Sequence, residues 1–143
     1  MKLYKALKLK KKLVGEIASL KALIHAKNSY MEGTKMNYVV EDLYAELLAK
    51  TNQLVALKMS INAANADIQE SIYNLAELKG MISFWQIMPI SEGVVENRFS
   101  EAASKNYIAT YNEVYKDSVI KGLQSDIDMI QEEIDTYNYT KEI

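Results

Sequence analysis

No cysteine occurs in the 143 residues, and histidine, arginine and proline occur once each, as His25, Arg98 and Pro89, beside only five glycines. Without cysteine there are no disulfides, no thiolate nucleophile and no sulfur metal site. The redox compartment is left open, with the cytoplasm as the default localisation. His25 has no second histidine at ligand spacing and reads as an exposed or core-edge imidazole. No glycine-rich loop is present to cradle a phosphate. Nor can a pair of carboxylates be singled out for acid–base work: Glu132 and Glu133 are adjacent, so on a helix they diverge by about a hundred degrees. The expectation is a protein that is not an enzyme and that uses no cofactor and no metal.

Long apolar runs are missing too. Residues 1–27 begin positively but hold no uninterrupted apolar core and no small-residue cleavage signature, so they do not read as a signal peptide. The greasiest stretch, MISFWQIMPI from Met81 to Ile90, ends in proline and falls well short of the roughly 18 to 20 apolar residues that cross a bilayer. It reads as core, and no stable membrane insertion is expected. With 49% hydrophobic and 25% charged residues the chain belongs with ordinary globular proteins, and its length fits a single domain over residues 1–143.

What the chain does have is helical periodicity. Scarce glycine and proline leave little material for turns, which favours a few long helices. Leu123, Ile127, Ile130, Ile134 and Tyr137 recur at alternating steps of four and three, the seam of a helix burying one face against others, over about Glu113 to Tyr137. The first helix, about Lys2 to Lys27, carries Leu13, Ile17, Leu20 and Ile24, and projecting its seam backwards reaches Lys10, Ala6 and Leu3. Lys10 therefore falls on or near a buried stripe, either snorkelling along its aliphatic stem or waiting for an anionic partner. A connector, NSYMEGTKMNY, precedes a second helix from about Val39 to Ala66 with Leu43, Leu47, Leu54, Leu57 and Ile61 on one stripe. That helix ends in Asn62 and Asn65, which share a face and serve as end caps or as an amide pair touching a ligand.

A third helix starts near Asp67 to Ser71, carries Ile72, Leu75, Leu78, Ile82 and Trp85, and stops around Gln86 to Met88 ahead of Pro89. The helix is expected to resume over Ser91 to Asn97. Between Arg98 and Asn112 the period falls towards two, which predicts an extended arm. The tail Asn138 to Ile143 is expected to trail away from the last helix. No internal repeat appears. The fold class is all-α: two long antiparallel helical hairpins make a four-helix subunit with one extended arm. Such subunits expose much side surface, and self-association into a homo-oligomer is the usual cover.

The net charge of −2 conceals a polarity. Residues 1–27 hold eight lysines against Glu16, whereas residues 124–143 hold six acids against Lys141. Complementary faces of the first and last helices, within one copy or between neighbours, explain this most simply. A basic helix can also meet anionic lipid or nucleic acid. Lysines without arginine or interleaved aromatics read bases poorly, so no specific DNA or RNA is expected as partner.

Several short motifs, in order along the chain, resemble the septicolysin-like family of small helical proteins of bacteria and their phages. They are the opening MKLYKAL, INAAN at Ile61 to Asn65, RFS at Arg98 to Ser100 with the following NYIATYNEV, and the ending YNYTKEI. The resemblance implies an all-helical subunit in a ring-like homo-oligomer, a hexamer, with no known catalytic residues. Where relatives carry arginines and an aspartate in the third helix, this chain reads LAELKGM from Leu75 to Met81. Arg98, Asn62 and Asn65 lie inside matching motifs and carry over as positions.

The aromatic stretch around the arm, with Phe84, Trp85, Phe99, Tyr107 and Tyr111, offers flat surfaces, and Arg98 and Lys105 offer charge. Such groups either join subunits or stack a nucleobase beside a phosphate. The ligand-binding set expected from the sequence is Arg98, Lys105, Phe99, Tyr107, Trp85, Asn62, Asn65 and Lys10. The favoured function is a non-catalytic homo-oligomer holding a small nucleotide-like anion in pockets between subunits, as a phage-encoded sponge for an immune signal would. The alternatives are an assembly or adaptor oligomer without small ligand, and the membrane-active cytolysin that the family's name implies.

Overall fold

The computed structural model describes residues 1–95 and 105–143. The chain is mostly helical, as the periodicity requires: α1 (Leu3–Lys27), α2 (Val40–Asn65), α3 (Gln69–Gln86) and α4 (Glu113–Thr140), with the short strands β1 (Gly93–Val95) and β2 (Lys105–Tyr107). A single 3₁₀ turn, Ala66–Ile68, separates α2 from α3. Contacts divide the chain into two compact units, one of residues 1–67 and 136–143, the other of residues 68–135.

In the first unit the seam of α1 meets that of α2. Leu3, Ala6 and Leu13 cluster with Leu57, Ile61 and Ala64, and Leu3 and Leu13 are the most completely buried large side chains. Ala6 and Ala64 let the backbones approach, while the leucines fill the space on either side. The helices run in opposite directions: Glu16 of α1 meets Lys50 of α2 at 2.9 Å, and Lys10 shares a hollow with Asn62. Hydrogen bonding from Lys50 holds the Glu16 carboxyl below its usual range and raises the Lys50 ammonium in return. Their connector turns at Gly33, whose φ of 87° lies in the left-handed region that favours glycine.

Neither α1 nor α2 has a side-chain cap at its start. For α1 the other chain end supplies the acceptor. The Leu3 N–H donates to the Lys141 carbonyl at 2.9 Å, the Ile143 N–H donates to the Met1 carbonyl at 2.9 Å, and Lys2 Nζ donates to the Thr140 carbonyl at 3.1 Å. The start of α1 and the end of α4 thus satisfy one another's orphan groups. Glu142 pairs with Lys2 at 2.8 Å and with the terminal amine at 3.1 Å, and Tyr4 meets Tyr139 at 4.6 Å between ring centroids. The expected trailing tail is therefore corrected: α4 continues to Thr140, and the residues beyond it form a bridge, Glu142 opposite Lys2.

A second tie closes the same unit. Tyr137 Oη donates to the Ala64 carbonyl at 2.6 Å and to Asp67 at 3.2 Å, and Lys141 Nζ reaches Asp67 at 2.9 Å. Ala64 lies in the last turn of α2, where carbonyls lack helical partners, so the tyrosine hydroxyl acts as a cap.

In the second unit α3 and α4 lie alongside each other, Ser71 donating to Glu133 at 3.1 Å and Lys116 donating to the Gln86 carbonyl at 2.9 Å. Ile127 and Ile134 of α4 are buried, whereas α3 buries no residue fully. The α3 seam, Ile72, Leu75, Leu78, Ile82 and Trp85, is only half-buried. Lys116 also bonds the Met88 carbonyl at 3.3 Å, closing the helix end ahead of Pro89. Asn112 caps α4, its Oδ1 accepting from the Tyr115 N–H at 2.9 Å.

The expected resumption of helix after Ser91 is a correction. Gly93–Val95 is extended and pairs antiparallel with Lys105–Tyr107, Val94 opposite Asn106. Consecutive valines suit a strand, and Gly93, at φ 76°, turns the chain into it. The extended arm is seen as this ribbon from Lys105 onward, and its start from Arg98 lies outside the described residues. Among the described residues no helix is long and apolar enough to cross a membrane.

Two expected outcomes follow from the first unit. Leu13 is 2% exposed and its neighbour Val14 is 48% exposed. In urea denaturation Leu13→Ala should cost about 2–5 kcal/mol, and Val14→Ala about 0.5 kcal/mol or less. The second outcome concerns pH. Lys141 holds Asp67, and Lys2 with the terminal amine holds Glu142, below the usual carboxylate range. Each depressed carboxyl therefore stabilises the fold above its unfolded value near pH 4, and that support is lost as pH falls through the lower folded value. The thermal midpoint should drop on acidification below about pH 4, and Asp67→Asn with Glu142→Gln should flatten that dependence.

Candidate functional site

One flank of the α1–α2 pair carries a hollow of about 500 Å³, open to solvent, lined by Lys10 from α1 and by Lys58, Asn62 and Asn65 from α2. Positions 58, 62 and 65 are spaced by four and three, so the helix brings them onto one stripe. Lys10 arrives there because the α1 seam runs past it: it is half-buried and lines the hollow together with Ile61. Val55, Met59 and Ile61 complete the wall.

The electrostatics are one-sided. Among the described residues no carboxylate lines the hollow. Lys50, Lys141 and Lys2 are held by Glu16, Asp67 and Glu142 at 2.8 to 2.9 Å, whereas Lys10 and Lys58 enter no ion pair among the described residues. Two unpaired ammonium groups beside two carboxamides can meet a phosphate with charge-assisted hydrogen bonds and offer donors and acceptors to a polar ring edge. The size falls within the range of small-molecule sites.

A larger hollow of about 560 Å³ between the same helices holds Lys11, Lys12, Glu16, Glu46 and Lys50, and its two carboxylates are taken up by Lys12 and Lys50, which leaves Lys11 without an ion pair among the described residues. It is a surface ion-pair network rather than a receptor for charge.

The sequence-derived set separates into groups. Lys10, Asn62 and Asn65 come together, and Lys58 joins them. Lys58 was not in that set, although its place one turn before Asn62 is the signal that could have found it. Trp85 lies in the second unit against Tyr111 at 5.3 Å and Tyr115 at 5.9 Å, with Tyr111 stacked on Tyr115 at 4.9 Å and Phe84 edge-on to Trp85 at 6.0 Å. Tyr115 is a further residue the sequence reading did not single out, four positions beyond Tyr111 and in the first turn of α4. Lys105 and Tyr107 stand exposed on β2, outside this ring cluster. Arg98 and Phe99 lie outside the described residues.

Compared with family models, curated proteins and solved structures, the chain matches none. The chemistry of the hollow is accordingly argued from its own residues.

Trp85 is the sole tryptophan, so its fluorescence reports on the ring cluster alone. Tyr115→Ala should move its emission to longer wavelength as water replaces the ring, while Tyr44→Ala, in the first unit, should leave it unchanged.

Proposed function

We propose that the protein is a non-catalytic, self-assembling binding protein that takes up a small phosphate-bearing anion, of the nucleotide-signal kind, at the Lys10–Lys58–Asn62–Asn65 hollow. The observation that carries this reading is two lysines that share one hollow with two amides and that, among the described residues, have no acidic partner and no carboxylate beside them. Sequestration asks for affinity alone, which such a site can supply without nucleophile or general base. Membership of the septicolysin-like family, with INAAN supplying Asn62 and Asn65, belongs to the same proposal, as does a ring of subunits built from paired helices.

Exposed area supports the self-assembling part. Large apolar side chains stand open to solvent, including Ile108 at 87%, Ile87 at 82% and Val114 at 78% exposure. The same surface favours a second reading, an adaptor whose oligomer is itself the function and whose hollow stays empty.

Calorimetric titration with cyclic dinucleotides, cyclic trinucleotides and cyclic ADP-ribose variants separates the two. Binding of at least one ligand is expected, weakened about tenfold or more by Lys10→Ala or Lys58→Ala and less by Asn62→Ala. Silence across the panel from folded protein overturns the binding reading and leaves the adaptor.

A further inference from the structure

The two units carry opposite charge. Residues 1–67 and 136–143 hold twelve lysines against seven acids, whereas residues 68–135 hold five basic residues against twelve acids. Many of these charges enter no ion pair among the described residues. On α1, Lys5, Lys8, Lys11 and Lys12 are exposed on the side opposite the buried seam of Leu3, Ala6, Leu13 and Ile17. The nearest partners of this face are weak ones, Glu16 at 3.8 Å from Lys12 and the Tyr4 ring at 5.6 Å from Lys8. On α4, Asp126, Asp128, Glu132, Glu133 and Asp135 enter no ion pair among the described residues.

The second unit also has an uncovered apolar surface in register with its acids. Between α3 and α4 lies a hollow of about 440 Å³ with a floor of Leu78, Met81, Met129 and Ile130 and a rim that includes Glu77 and Asp126. Met81 is 48% and Met129 68% exposed, flexible side chains that adapt to whatever is laid over them. An apolar floor with carboxylates at its edges suits a helix whose outer face is made of lysines. Their aliphatic stems cover the methionines and their ammonium groups reach the rim.

We propose that the lysine face of α1 in one copy docks on the acid-rimmed α3–α4 hollow of the next, so that assembly is head-to-tail. Two identical acidic hollows face to face would set Glu77 and Asp126 against their own copies, and like charges in contact oppose that arrangement. A head-to-tail contact matches opposite signs at every step and closes into a ring or extends as a filament. The proposal rests on the self-assembling part of the reading above and makes no use of the Lys10–Lys58 hollow.

The test mixes two charge-reversed chains and weighs the products by light scattering, with helicity checked by circular dichroism. Lys8→Glu with Lys12→Glu removes the basic face and keeps the hollow, while Glu77→Lys with Asp126→Lys removes the rim and keeps the basic face. Each variant alone should assemble about tenfold or more weakly than the parent chain, and the parent itself should loosen as salt is raised. Mixed, the two should form a one-to-one pair that grows no further, because each brings only one intact surface. A parent chain that is monomeric at micromolar concentration overturns the proposal. So do variants that assemble like the parent, and variants that dissociate but fail to pair on mixing. Binding of a monomeric parent to phosphatidylserine vesicles, lost with Lys8→Glu and Lys12→Glu, would give the lysine face to an anionic membrane instead. Because neither variant alters Lys10, Lys58, Asn62 or Asn65, nucleotide titration of the same samples reports on the anion hollow separately.

Discussion

The contact between α1 and α2 is the constraint on which the first unit depends. Its floor is made of alanine as much as leucine: Ala6 and Ala64 are among its buried residues and make the helices close, and closeness lets Leu3, Leu13, Leu57 and Ile61 interlock. Move the helices apart by the width of a methyl group and the leucines lose their facing atoms first, since dispersion falls steeply with a small gap. The hollow then goes too, because Lys10 meets the stripe of Lys58, Asn62 and Asn65 only while α1 and α2 hold this distance and register. The site is thus a by-product of the packing, placed on its flank by the period of each helix.

The chain ends reinforce that contact rather than merely leaving it. The start of α1 lacks a capping side chain, and the backbone after Thr140 supplies the missing acceptor while Lys2 returns a donor to the end of α4. Charges of the right sign sit at both ends, Glu142 by the first turn of α1 and Lys141 by the last turn of α4, where the helix dipoles favour them. Tyr137 extends the seam of α4 into the same cluster and uses its hydroxyl on the end of α2. One short stretch, Tyr137 to Glu142, therefore ties three helix ends.

The helices and most of the first core were readable in the sequence, because a buried face writes itself as a repeat: Leu3, Ala6, Leu13, Ile17 and Leu20 are the buried residues of α1, and all lie on the projected seam. The period could not say how far a seam would be covered. Ile72, Leu75 and Ile82 repeat as regularly, yet α3 buries nothing fully, since coverage depends on what lies opposite. The tail was missed for a related reason. Its bonds to the start of α1 join residues more than 130 positions apart, and no local pattern in Asn138 to Ile143 announces a partner at Met1 to Leu3. At Gly93–Val95 local preference did carry the answer, a glycine in the left-handed region followed by two β-branched residues, and the nearby helical periods obscured it. Of the hollow, Lys10 stood out as a charge on an apolar stripe and Asn62 with Asn65 as a pair. Lys58 did not, because a lysine on an exposed stripe looks ordinary until another helix sets a second lysine beside it.

The arrangement also separates tasks around one helix. The face of α1 with Leu3, Ala6 and Leu13 meets α2, the flank with Lys10 opens on the hollow, and the outer face with Lys5, Lys8 and Lys12 is left to the solvent or to a neighbour. A helix has room for this because its exposed lysines lie on the side opposite the apolar stripe on which Lys10 stands. Concentrating eight lysines in the first 27 residues would ordinarily destabilise a helix by repulsion at spacings of three and four. That repulsion is lowest when the outer stripe is met by carboxylates and the flank by an anion. The charge that weakens the isolated helix would then be the source of attraction for both proposed partners, and because the two stripes face apart, filling one would leave the other open.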